Sequence, residues 1–154
     1  MQVSGLKPNW IEIENHVTQL EKKDIGPFKP SQIKIAILIL KENWDENKIE
    51  FLEQFKVMLT NRAQKVLGIF EVSTGGVSGT VADPKIIFAS AIMASACGLI
   101  LARNHPSGHL SPSQADIDLT RKLKDAGKLL DIQVLDHIII AGKNYYSFAD
   151  ESML

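Results

Sequence analysis

Residues 98–116, GLILARNHPSGHLSPSQAD, decide the fold of this chain. The apolar run Leu99–Ala102 at the start of the stretch predicts a short buried strand. Two prolines and a glycine then predict a loop over Asn104–Pro112. A serine followed three residues later by an aspartate is a capping pattern, which predicts a helix over Ser113–Leu130. The segment therefore indicates a strand, a loop and a helix in succession.

The rest of the chain continues this mixture of strands and helices. Four isoleucines alternate within Ser31–Trp44, as in a strand, but their neighbours also form a helical stripe, and we favour a helix because Ser31 is a good N-cap. The other helix is predicted over Pro84–Ala96, with proline in its first turn. The remaining predicted strands are Trp10–Glu14, Glu53–Thr60, Lys65–Ser73, Ile132–Ile140 and Tyr145–Phe148. The sequence thus predicts a single α/β domain with a mixed sheet flanked by helices.

Composition and charge favour a soluble cytoplasmic protein. The chain has 154 residues, of which 45% are hydrophobic and 23% charged, and its net charge of −1 gives no electrostatic support for nucleic-acid binding. Its one cysteine, Cys97, lies in an apolar run and is expected to be a small buried hydrophobe. Residues 1–10 carry no apolar signal region, and the apolar stretch Ile86–Ala102 is too interrupted to predict a membrane span.

The residues around the predicted loop suggest a catalytic site. Side chains two apart on a strand share a face, so Arg103 and His105 are expected to point the same way. The carboxylate of Asp116, on the first turn of the next helix, can meet them. Two strand residues and one helix carboxylate resemble the three-ligand layout of a catalytic zinc site, which leaves a fourth position for water. A glutamate on a neighbouring strand would serve as the general base.

From about Lys48 to Leu154 the sequence resembles the C-terminal domain of RadC proteins. The motifs that carry the resemblance are Glu53-Gln54-Phe55, Thr80–Pro84, His105-Pro106-Ser107-Gly108, Ser113–Asp116, Asp116–Thr120 and Leu135–Ile139. These proteins belong to the JAB/MPN superfamily of JAMM-type zinc metalloproteases. The resemblance implies a JAB/MPN architecture, similar to that of cytidine deaminases, over residues 48–154. Residues 1–47 are then an N-terminal extension of strand, loop and helix.

The resemblance also implies roles for individual residues. Glu53 matches the glutamate that positions and deprotonates the zinc-bound water. His105 and Asp116 match the second histidine ligand and the carboxylate ligand. Ser113 matches the serine that stabilises the oxyanion of the tetrahedral intermediate. Arg103 stands where the first histidine ligand is expected, which is the main departure from the family pattern.

Arginine cannot substitute for that histidine. A guanidinium has five donors, no lone pair to offer and a permanent positive charge, so zinc binding is expected to be weakened or lost. His109, in the loop, is a candidate replacement ligand, although the simpler interpretation is that its side chain is solvated. A different role for Arg103 follows from its charge: it is expected to bridge Asp116 and Glu53 and to replace the metal electrostatically. His137 is expected to be a satisfied core residue.

Three functions follow from these observations. The first is an inactive or weakly active descendant of a metallopeptidase that retains the fold as a binding module. The second is an active zinc-dependent peptidase or isopeptidase with an unknown protein or peptide substrate. The third is a DNA-repair-associated binding module, but residues 1–47 lack the glycine hairpins of the helical domain that usually precedes this one in RadC proteins. Predicted strand edges near the N-terminus are compatible with a homodimer.

Overall fold

The computed structural model describes residues 33–75 and 81–154. In chain order the elements in these ranges are α1 (Ile33–Glu42), α2 (Glu46–Ile49), β1 (Gln54–Thr60), β2 (Val66–Thr74), α3 (Pro84–Met93), β3 (Gly98–Asn104), α4 (Gln114–Leu129), β4 (Gln133–Ala141) and β5 (Asn144–Ser147). The strand predicted at Trp10–Glu14 and the N-cap at Ser31 lie outside the described residues. The helix favoured for Ser31–Trp44 is confirmed by α1.

The five strands form one mixed sheet in the order β2-β1-β3-β4-β5. All neighbouring strands are antiparallel except β3 and β4, which are parallel. The central strand β3 places Arg103 opposite Phe55 of β1 and Ile139 of β4. The predicted fold class, a mixed sheet flanked by helices in a single domain, is confirmed.

The sheet separates two hydrophobic cores. On one face, alternate residues of β1 (Phe55, Val57 and Leu59) pack with residues of α3 and α4. On the other face, residues of β1, β3 and β4 pack against α1. Because β1 and β3 are covered on both sides, nearly all their residues are buried, and β3 contains the continuous apolar run Leu99–Ala102.

Local chemistry explains where the helices begin and end. The Asp83 carboxylate caps α3 by accepting from the Lys85 backbone N–H at 2.8 Å, and Pro84 follows in the first turn. That helix ends earlier than predicted because Ser95 adopts a φ of +53°, which turns the chain towards β3. Cys97 lies in this turn and is half-buried, so the prediction that it is a buried residue was wrong.

The end of α4 depends on close packing. Near the end of α4, a Cβ on Gly127 would lie 2.3 Å from the Ile132 carbonyl oxygen, so glycine is required for the chain to return closely into β4.

Within the described residues, no helix has both the length and the apolar character needed to cross a lipid bilayer.

Candidate functional site

Three chain segments bring the predicted site residues together. Glu53 immediately precedes β1, and Arg103 is the penultimate residue of β3. The antiparallel register places Phe55 opposite Arg103, so Glu53 lies at the carboxyl end of β3. Asp116 lies in the first turn of α4, which begins after the loop that leaves the same end of β3. The sheet thus positions the arginine between two acidic residues.

Arg103 bridges these two carboxylates. Its Nη2 donates to Glu53 Oε2 at 2.9 Å, and its Nη1 donates to Asp116 Oδ1. The side chains of Arg103, Glu53 and Asp116 are 13%, 25% and 2% exposed, so the cluster is largely shielded from water. The bridge predicted for Arg103, from its charge and from the residues that the resemblance singled out, is therefore confirmed.

The second oxygen of Asp116 is also occupied. Asp116 Oδ2 accepts from the Ser113 backbone N–H at 2.8 Å and from the Ser113 hydroxyl at 2.7 Å. Burial alone would raise the pKa of Asp116, but the hydrogen bonds from Ser113 and the charge of Arg103 outweigh it and lower this pKa below its usual value. Asp116 is therefore a fully hydrogen-bonded carboxylate at neutral pH.

Ser113 uses its hydroxyl group to cap α4. The hydroxyl donates to Asp116 Oδ2 and accepts from the Asp116 backbone N–H at 3.1 Å, which completes a reciprocal capping box. The cap predicted for Ser113 and Asp116 is confirmed. In this arrangement the hydroxyl proton points to a carboxylate rather than to a position where an oxyanion would develop.

His105 is held by the loop that follows β3. Its backbone N–H donates to the Ile140 carbonyl at 2.8 Å, and its ring Nδ1 lies 2.6 Å from the His109 carbonyl oxygen. Because a carbonyl only accepts, Nδ1 carries a proton, and the neutral form of this ring has its lone pair on Nε2. Gly108 has a φ of +84°, which permits the tight turn between the two histidines. His109 thus contributes its carbonyl group, while its side chain is exposed.

The residues present do not fit the zinc site that the family resemblance implies. Both oxygens of Asp116 are already bonded, one of them to a permanent cation. His105 retains one lone pair, and Arg103 has none to offer. Across residues 33–75 and 81–154, no three His, Cys, Asp or Glu side chains are grouped so that they could hold a metal ion.

Sequence reasoning missed Asn104, which positions Glu53. Asn104 is 1% exposed, and its Oδ1 accepts from the Gln54 backbone N–H at 2.7 Å. Its Nδ2 donates to the carbonyls of Ile49 and Leu52 at 2.6 and 2.7 Å. The side chain thereby fixes the segment that leads into Glu53. The sequence feature that could have indicated this role is an amide at the end of a buried strand, because a polar group there needs hydrogen-bond partners.

His137 lies on β4, on the same face of the sheet as Arg103, and is completely buried. Its ring stacks on Phe148 with centroids 4.6 Å apart, and its Nδ1 lies 2.7 Å from Thr120 Oγ1. Burial above all lowers its pKa to about 4, so the ring is neutral at pH 7. The predicted core location is confirmed, but the prediction that the ring is satisfied is only half right: within the described part of the chain, Nε2 has no hydrogen-bond partner.

The fold and the position of the charged cluster define a class of domain. A mixed sheet covered by helices, with a polar cluster where a strand and a helix N-terminus meet, is the architecture expected of the JAB/MPN class. The family model for the RadC-like JAB domain matches residues 30–153. The chain belongs to the RadC-like JAB domain family.

Similarity to individual proteins agrees with this assignment. A UPF0758 protein of Flavobacterium johnsoniae is 46% identical over 101 residues, which are 66% of this chain and 44% of that protein. A UPF0758 protein of Geotalea uraniireducens is 40% identical over an alignment that covers 86% of this chain and 67% of the relative. A UPF0758 protein of Moorella thermoacetica is 42% identical over 71% of this chain and 48% of its own length. The chain thus spans about half the length of most of these relatives.

Proposed function

We propose that this RadC-like JAB domain acts as a binding module without catalytic zinc, in which Arg103 takes the electrostatic place of the metal. The observation that supports this proposal is the two-carboxylate bridge made by Arg103. The guanidinium remains protonated at any ordinary pH, so the group that bridges the two carboxylates always carries a positive charge. The domain is on this view inactive, or at most weakly active, as a peptidase.

Electrostatics explains why the bridge would disfavour a metal ion. Two carboxylates that are shielded from water repel each other unless a cation lies between them. Arg103 supplies that cation through charge-assisted hydrogen bonds, which are stronger than neutral ones. A divalent metal would have to displace the guanidinium from Asp116 and would then remain beside its positive charge. The two cations therefore compete for the same carboxylates.

The proposed partner is a protein or peptide. Phe51 and Leu52, which immediately precede Glu53, are 76% and 38% exposed. Exposed aromatic and aliphatic side chains beside a polar cluster are the groups that protein partners commonly cover. The net charge of −1 offers no matching attraction for nucleic acid.

Zinc stoichiometry of the wild-type protein and of two arginine-to-histidine variants tests the proposal. Each protein is equilibrated with zinc, freed of unbound metal and analysed for metal content. Arg103→His supplies the nitrogen ligand that the family pattern expects, so it should bind about one zinc ion per chain, whereas wild type should bind far less. Arg121→His, on the exposed face of α4, is the matched control and should bind no more zinc than wild type.

Peptide hydrolysis by the same samples completes the test. Wild type should cleave neither a peptide nor an isopeptide-linked substrate at a rate that chelation reduces. Stoichiometric zinc in the wild-type protein, together with chelator-sensitive hydrolysis, would overturn the proposal and establish an active zinc peptidase.

A further inference from the structure

The hydrogen bonds of Thr120 determine the tautomer of His137. Thr120 Oγ1 lies 2.6 Å from the Asp116 backbone carbonyl and 2.7 Å from His137 Nδ1. The carbonyl can only accept, so the hydroxyl proton points to it. His137 Nδ1 must then donate to the hydroxyl oxygen. The neutral ring consequently carries its proton on Nδ1 and a bare lone pair on Nε2.

Two buried polar atoms near the bridge have no partner in the described part of the chain. One is His137 Nε2, an acceptor on a side chain with no exposed surface. The other is Arg103 Nε, whose N–H has no acceptor although Nη1 and Nη2 each donate to a carboxylate. Buried polar groups are rarely left unpaired, because each one costs free energy comparable to a lost hydrogen bond.

The sheet places these two atoms on the same face. In the parallel pair β3–β4, His137 is opposite Leu101, and Arg103 is opposite Ile139, so the two side chains are diagonal neighbours. Phe55 connects them: it is opposite Arg103 in β1, and its ring meets the His137 ring edge-on at 5.7 Å. The charge of Arg103 also contributes to the lowered pKa of His137, which places the guanidinium within electrostatic range of the imidazole.

We infer that His137 is a positioning residue for Arg103, and that its Nε2 and the Arg103 Nε–H hold one water molecule between them. The water accepts from Arg103 and donates to His137, so an orphan donor and an orphan acceptor are both satisfied. This inference rests on the proposed function, because it explains how the arginine that replaces the metal is held. With this contact, the guanidinium is fixed by hydrogen bonds along its Nε, Nη1 and Nη2 directions.

The tautomer of His137 provides the first test. In wild-type protein labelled with ¹⁵N on histidine, the ring nitrogen resonances at pH 7 should identify a neutral ring with the proton on Nδ1 and a hydrogen-bonded lone pair on Nε2. A proton on Nε2 would overturn the inference, since the ring would then have no lone pair at Nε2 to accept from the water. Zinc content of the same sample reports separately on the proposed function, so either idea can fail without the other.

Two amide variants separate positioning from packing. Glutamine at position 137 reaches the place of Nε2, whereas asparagine reaches the place of Nδ1. If His137 positions Arg103, His137→Gln should retain slow solvent exchange of the Arg103 Nε–H, and His137→Asn should accelerate it about tenfold, the effect of losing one buried hydrogen bond. If only the bond to Thr120 matters, the order is reversed, and the inference is wrong. Should neither variant fold, the wild-type tautomer alone decides the question.

Discussion

Removing the charge of Arg103 should destabilise the fold more than any similar change on the surface. Arg103→Met keeps much of the side-chain length but leaves Asp116, which is 2% exposed, without its cation. Removing one partner of a buried ion pair typically costs 3–5 kcal/mol. Asp116 keeps its bonds from Ser113, and Glu53 is 25% exposed and can gain water, so we expect a loss near the lower end, about 3 kcal/mol at pH 7.

The loss should depend on pH in a defined direction. The pKa of Asp116 is lowered in the folded protein, so its favourable contribution is present above the unfolded pKa of about 4 and is lost as pH falls through the folded value. Without Arg103, burial is opposed only by the bonds from Ser113, and Asp116 should take up a proton at higher pH. The difference between wild type and variant should therefore be largest at pH 7 and smaller near pH 4.

Urea unfolding, followed by circular dichroism at both pH values, measures these differences. Arg121→Met is the control, because Arg121 is 71% exposed and lies 3.9 Å from Asp118 within the same helix. Such surface pairs contribute about 0–1 kcal/mol, and the control should lose no more than that. The reasoning is refuted if Arg103→Met matches the control, or if its destabilisation is the same at pH 7 and pH 4.

Two further predictions concern residues that support the bridge. Asn104→Leu removes three hydrogen bonds and leaves buried backbone groups unpaired, so it should lower the free energy of unfolding in urea by about 3 kcal/mol. The control Asn144→Leu, at the exposed start of β5, should be nearly neutral. Equal losses would show that Asn104 does not hold the segment before Glu53. His137 has a folded pKa of about 4, below its unfolded value, so it supports the fold fully above pH 6.5 and loses that contribution as pH falls towards 4. The difference between the folded and unfolded pKa of His137 corresponds to about 3 kcal/mol of stability. His137→Phe should therefore flatten the dependence of stability on pH between 6.5 and 4. An unchanged slope would contradict the lowered pKa of His137.

Local patterns were enough to predict much of the secondary structure. The start of α4 was predicted because its capping box lies within four consecutive residues, Ser113–Asp116, and needs no other part of the chain. The extent of β3 was not, since the prediction ended at Ala102 whereas the strand continues to Asn104. Those last residues are held by pairing with β1 and β4, whose segments are distant in sequence.

The sequence by itself determined the charge at the centre of the site. Arginine has no lone pair to offer and does not lose its proton, so position 103 carries a positive charge whatever the fold around it. The tertiary structure decided the geometry and burial of the predicted bridge: it brought Glu53 across 50 residues of chain to 2.9 Å from Arg103. It also buried His137, and it buried Asn104, whose side chain holds the segment before Glu53. The charge of an arginine belongs to the residue itself, whereas burial and hydrogen-bond partners come from segments that a local pattern does not connect.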